Sequence, residues 1–166
     1  MKLKNLTDLF ISELRDMYNA EQQLTKALPK MAAAAKDADL KKAFESHLQE
    51  TERHVTRITE VMDILGLDKK SDACEAMQGL IKEGEKIIAE AADDRAINAG
   101  LIAAAQKVEH YEIASYGTLI ALARELGYDN AVVILKETIA EEKTADEKLT
   151  ALAEGGINHN AVKKAA

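Results

Sequence analysis

The chain has no tryptophan, one proline, one cysteine and only 4% aromatic residues. Each shortage excludes something. Recognition of single-stranded nucleic acid needs aromatic platforms for base stacking, and these are scarce here. Net charge is −7, without any block of like charge, so neither nucleic acid nor an anionic membrane is expected as a partner. Cys74 is alone, so no internal disulfide and no Cys-x-x-Cys metal pair can form; this suits a reduced, cytoplasmic setting. No apolar run approaches the length of about 18 residues that would span a bilayer. The opening MKLKNLTDLF enters an amphipathic pattern at once with no apolar signal core, again pointing to the cytoplasm. With one proline and eight glycines in 166 residues, little interrupts a helix.

What is present is helical periodicity in a single domain, residues 1–166. The spacing predicts an all-α fold: an antiparallel four-helix bundle with core helices over about 3–35, 39–65, 94–126 and 129–154. Pro29 falls inside the first and is expected to bend it. Asp37 or Asp39 caps the second, and Gly66 stops it. The stretch from Gly66 to Arg95 is too long for a tight turn and reads as a crossover helix over about 72–91, entered near Ser71 or Asp72. Gly155-Gly156 should end the last helix and leave a frayed tail to Ala166.

The third core helix carries an anomaly. Leu101, Ala105, Val108, Tyr116, Leu119 and Ala123 make an apolar stripe with Glu112 at its centre, and Glu109 is only about 60° away. No Lys or Arg one turn away can pair them, and unpaired carboxylates in an apolar interior cost several kcal/mol each. Glu21 repeats the situation on helix one, between Met17 and Leu24. Glu142 and Asp146 lie within the stripe of helix four, made by Leu135, Thr138, Ile139 and Leu149. Helix two shows Leu40, Phe44, Leu48, Val55, Ile58 and Met62 on its stripe, with Thr51 at the centre, His47 beside it, His54 slightly further round and Glu50 at the edge. His110 points about 160° from Glu112 and reads as a surface residue. Carboxylates from three helices, with Glu50, His47 or His54 from the fourth, form the ligand set of a metal centre. Iron or manganese accepts such mixed carboxylate and imidazole ligation.

The phrase LIAAAQKVEHYEIASYGTL does not stand alone. With Tyr18-x-Ala20-Glu21-Gln22-Gln23-Leu24, His47-Leu48-x-Glu50-Thr51 and Glu141-Glu142-Lys143-x-x-Asp146-x-Lys148-Leu149, it resembles the YciF-type bacterial stress proteins over residues 3 to 154. That resemblance implies a ferritin-like bundle with an added helix, a cytoplasmic homodimer, induction under stress, and kinship with rubrerythrins, whose bundles hold a di-iron centre. Carried over by position, it implies Glu21, Glu50, Glu109, Glu112 and Glu142 as ligands. The Glu-x-x-His pairs of ferritin-like di-metal sites are absent: helix two offers His47-x-x-Glu50 and Glu50-x-x-x-His54, and helix four has no histidine.

Two functions remain open on these residues. One is a di-iron centre that handles peroxide, dioxygen or Fe(II). The other is a non-enzymatic, stress-induced structural or metal-binding helical module.

Overall fold

The structure, a computed structural model, describes residues 2–162. The described residues contain helices and no strand. α1 (Leu6–Ala34) begins after Asn5, whose side chain accepts the Asp8 N–H, and runs unbroken through Pro29. α2 (Ala38–Ile64) is capped by Asp37, which accepts the Asp39 and Leu40 N–H groups. Gly66, at φ +64°, ends it: its own N–H bonds the Asp63 carbonyl and the Leu67 N–H returns to Met62. α4 (Asp94–Glu125), capped by Asp93, ends the same way at Gly127, φ +71°, with Tyr128 N–H bonded to Ala123. α5 (Asp129–Leu152) follows directly.

The crossover helix α3 (Glu75–Glu90) starts later than its sequence suggests. Ser71 and Asp72 offer ordinary capping groups, yet Cys74 takes the cap, its Sγ accepting the Met77 N–H. Tertiary anchors decide this. The Cys74 N–H bonds Asn19 Oδ1 at 2.9 Å, its carbonyl accepts Gln23 Nε2 at 3.1 Å, and its Sγ lies 3.0 Å from the Tyr111 hydroxyl. The far end of the chain also differs from expectation. A single wide turn over Ala153–Ile157, with Gly156 at φ +144°, leads into α6 (Asn158–Val162), and Ala153 and Ile157 seal the core instead of fraying. Residues 163–166 of the expected tail lie outside the described residues.

Two hairpins, α1/α2 and α4/α5, pack side by side with α1 on α4 and α2 on α5. Every neighbouring pair is antiparallel. Asn98 at the start of α4 accepts the Lys36 and Asp37 N–H groups just past the end of α1, while Phe10 near the start of α1 meets Tyr128 beyond α4, ring centroids 5.5 Å apart. Arg57 late in α2 reaches Glu137 and Glu141 in the middle of α5. α3 lies across α1 and α4 so tightly that a Cβ on Gly100 would come within 2.5 Å of Ile87 Cγ2. This is the ferritin-like arrangement expected from the sequence. No helix of the described residues is long and apolar enough to cross a membrane.

Candidate metal centre

α2 turns a polar face inward. From its start to Ile58 its buried positions are Leu40, Phe44, His47, Thr51, His54 and Ile58, at alternating steps of four and three, and Val61 and Met62 follow. His47 and His54 therefore stand two turns apart on one face, their rings 6.3 Å apart. Leu48 and Val55, placed on the inward stripe by sequence, are half-buried flanks. The reason is chemical: the inward centre is occupied by His47, Thr51 and His54, so an apolar stripe drawn through the remaining residues is rotated away from it.

Each histidine is held from behind. His47 Nδ1 lies 3.3 Å from Glu50 Oε2, and His54 Nε2 lies 2.7 Å from Glu141 Oε2. Arg57 grips both oxygens of Glu141 and holds that carboxyl down at about 2. In the neutral rings a proton on these outer nitrogens leaves the inner ones pointing into the bundle as acceptors. His47 Nε2 is 3.3 Å from Glu109 Oε1 and 3.7 Å from Glu142 Oε2; His54 Nδ1 is 2.8 Å from Glu142 Oε1 and 3.6 Å from Glu21 Oε1.

These inner atoms crowd together without bonding one another. Glu21, Glu112, Glu142 and His54 are fully shielded from solvent, and Glu109 is 2% exposed. Glu21 Oε2, Glu109 Oε2, both oxygens of Glu112, both of Glu142, His47 Nε2 and His54 Nδ1 have no hydrogen-bond partner. The 2.8 Å approach of His54 to Glu142 is close enough but lacks the angular alignment of a hydrogen bond. Only Glu21 is otherwise served, by the Tyr116 hydroxyl. Buried polar atoms are normally paired, so this many orphans converging on one space mark a site for something that accepts lone pairs. Burial drives Glu109 and Glu112 well above the usual carboxylate range, with Glu142 pushing the same way. Burial also raises Glu21, against the pull of His54. Burial alone would lower the histidines, but Glu109 and Glu50 bring His47 up to about 9, and Glu142 and Glu21 bring His54 up to about 10.

The donor atoms fall into two groups whose members lie within 4.8 Å of one another: His47, Glu109, Glu112 and Glu142, and then Glu21, His54 and Glu142. Glu142 belongs to both. Each group could hold a metal ion, and Glu142 would offer an oxygen to either. Four carboxylates carry a charge of −4, which two divalent ions cancel, and the mixed oxygen and imidazole donors suit iron or manganese.

The domain of unknown function model DUF892 matches residues 5–162. The chain belongs to the DUF892 family. It is 49% identical over 166 residues to protein YciF of Escherichia coli (strain K12), covering 99% of this chain and 100% of that one. The crystal structure of the E. coli stress protein YciF superposes with a TM-score of 0.90 at 49% identity, over 94% of this chain and 99% of that chain. YcfI of Rhodopseudomonas palustris follows at 0.88 and 46% identity, over 90% and 95% of the two chains. A protein of Xanthomonas campestris pv. campestris, 20% identical, shares the fold with a TM-score of 0.72 over 95% and 94%.

In this DUF892 chain, six of the eight ligands expected from sequence converge and two do not. Glu50 is half-buried behind His47, outside both donor groups, because the inward turn of α2 is already filled by His47 and His54. Asp146 is displaced because Ala145 and Leu149 take the inward positions after Glu142. It accepts Gln106 Nε2 at 3.2 Å and stands 3.4 Å from His110 Nε2, and His110 is on the surface as expected. The converging set is four glutamates and two histidines, the same inventory as in ferritin-like di-metal proteins, but differently distributed. Thr51 precedes His54 where a Glu-x-x-His would place its glutamate, and Ala145 follows Glu142 where it would place its histidine. His47, one turn before Thr51, supplies the missing imidazole from the other helix. Sequence reasoning missed the clamp of Arg57 on Glu141 and the Tyr116 hydroxyl on Glu21. Arg57, one turn after His54 on the flank of α2, was the available signal.

Proposed function

We propose that this stress-protein relative holds a di-iron carboxylate centre, with manganese as the alternative metal, and handles peroxide, dioxygen or Fe(II) there. The observation that carries the reading is the shared Glu142 between two donor groups of unpartnered buried atoms. A bound iron pair would supply one- or two-electron redox chemistry and an electrophilic site for oxygen ligands. The chain's own residues supply the rest. Glu50 and Glu141 fix the tautomers and ring planes of His47 and His54. The Tyr116 hydroxyl orients Glu21 and places a proton donor on a ligand carboxylate. Met17 and Leu24, one turn either side of Glu21 on α1, are buried with it.

Anaerobic titration with Fe(II), followed by air, tests this. Two irons per chain and an oxygen-dependent absorption change are expected; one iron or none would overturn the di-iron reading.

A second reading, a metal-binding or structural module without turnover, is favoured by one observation: with Glu109 and Glu112 raised well above the carboxylate range and therefore neutral, the two histidines, raised to about 9 and 10, can balance the remaining Glu21 and Glu142 without any metal. A centre that binds two irons but shows no change with oxygen or peroxide would select it.

For the assembly we propose a homodimer. Only Met77 and Gly84 of α3 are fully buried, while Leu80, Ile81, Ile87 and Ile88 stay half-covered. Light scattering at micromolar concentration should give twice the chain mass.

A further inference from the structure

At the end of the bundle where α2 begins and α5 finishes, the two helices part around a cleft of about 440 Å³. Its mouth is exposed, with Lys42 and Lys148 on either side, and its walls are Phe44, Ala145, Leu149 and Leu152. Its floor is His47 and Glu109, and their unpartnered Nε2 and Oε2 belong to the metal centre. A water-sized molecule needs only about 10–15 Å³ of such space, so peroxide or dioxygen does not explain the size, and an aquated iron ion, which would keep its waters, does not explain the apolar walls. The volume is that of a small-molecule site, and so is the composition of apolar walls with a few convergent polar atoms at the bottom.

We propose that this cleft binds a small organic molecule with an aliphatic body and one oxygen-bearing end, chain along Phe44, Leu149 and Leu152 and polar end toward His47 and Glu109. Charge does not select an anion, because Lys42 faces Asp39 and Lys148 faces Glu50. The apolar body is therefore the recognised feature. The inference names the substrate class for the centre proposed above, and rests on that reading only for what happens at the polar end, since protein atoms alone form the cleft.

The test uses 1-octanol as the probe, titrated into chelator-treated protein and followed by NMR shifts of Ala43, Phe44, Leu149 and Leu152. Saturable shifts are expected, with binding at least tenfold weaker in Ala43→Phe and in Ala151→Phe, two substitutions that fill the cleft from positions away from the donor atoms. Helix content and metal stoichiometry should stay unchanged in both. No saturable shift, or equal binding in both variants, overturns the proposal. So does a cleft closed by a second copy, seen as shifts that follow protein concentration rather than octanol. Octanol binding in a protein that takes up no metal would leave the cleft standing and remove the di-metal reading; full metal uptake without octanol binding would do the reverse.

Discussion

Arg57 holds Glu141 through both of its terminal nitrogens, at 2.6 and 3.0 Å, and Glu141 in turn holds His54 at 2.7 Å. The chain runs from a partly exposed guanidinium to a fully buried imidazole that faces Glu142. Nothing in it touches the space between the donor atoms, yet it sets which nitrogen of His54 faces that space.

Glu141→Gln is therefore expected to weaken metal binding by roughly 10–100-fold, the usual cost of losing a partner behind a metal-bound histidine. Helix content should be unchanged, because Glu141 is partly exposed. Competition with a chelator of known affinity measures it; wild-type affinity in the variant would remove Glu141 from the site.

Glu112 has two unpartnered, fully buried oxygens, and only His47 of its donor group could offer it a positive charge. Glu112→Gln keeps the shape and removes a charge, so metal per chain should fall while the metal-free protein melts at the same temperature or higher. His110→Gln, on the exposed side of the same helix, is the control and should alter neither. Elemental analysis beside thermal melting reads both; full metal content in Glu112→Gln would exclude it as a ligand.

The loaded and metal-free proteins should respond to pH in opposite directions. In the metal-free form His47 and His54 rise to about 9 and 10 on folding. Their contribution is complete below the unfolded value of about 6.5 and is lost as pH climbs through 9 to 10. Glu21, Glu109 and Glu112, also raised, act in the same sense. Glu141, lowered to about 2, opposes them only below about 4.5. Bound metal requires these ligands deprotonated, so the loaded form should lose stability as pH drops instead. Melting curves from pH 5 to 10, with and without chelator, should cross; parallel curves would argue against metal at these residues.

At pH 7 the loaded protein should melt higher than the chelated one. Free metal at a hundred times its dissociation constant adds about 2.7 kcal/mol, which for a domain of this size shifts the midpoint by roughly 5–10 °C. Differential scanning calorimetry measures this directly. Equal midpoints, with metal verified before chelation, would contradict a stabilising ion.

The helices were legible because long, strictly periodic stripes leave one folding solution, and the glycine stops at Gly66 and Gly127 are local chemistry. The start of α3 was not legible: Cys74 caps it only because Asn19, Gln23 and Tyr111 pin it from other helices. The continuation past Gly156 was likewise decided by the core surface that Ile157 covers.

For the site, the sequence by itself put Glu21 and Glu112 on apolar stripes whose phase is set by many other residues, with Glu109 about 60° off one stripe and Glu142 sharing another with Asp146. It could not set the phase of α2, where His47, Thr51 and His54 replace the apolar markers on the buried face. Nor could it separate Glu50 from Glu109, or Asp146 from Glu142, since all four are acids near a stripe. Only the tertiary structure decided that. A ligand site needs donor atoms from different helices within a few ångströms at one height, and that height depends on how far α2 and α5 slide past each other, a quantity no single helix encodes.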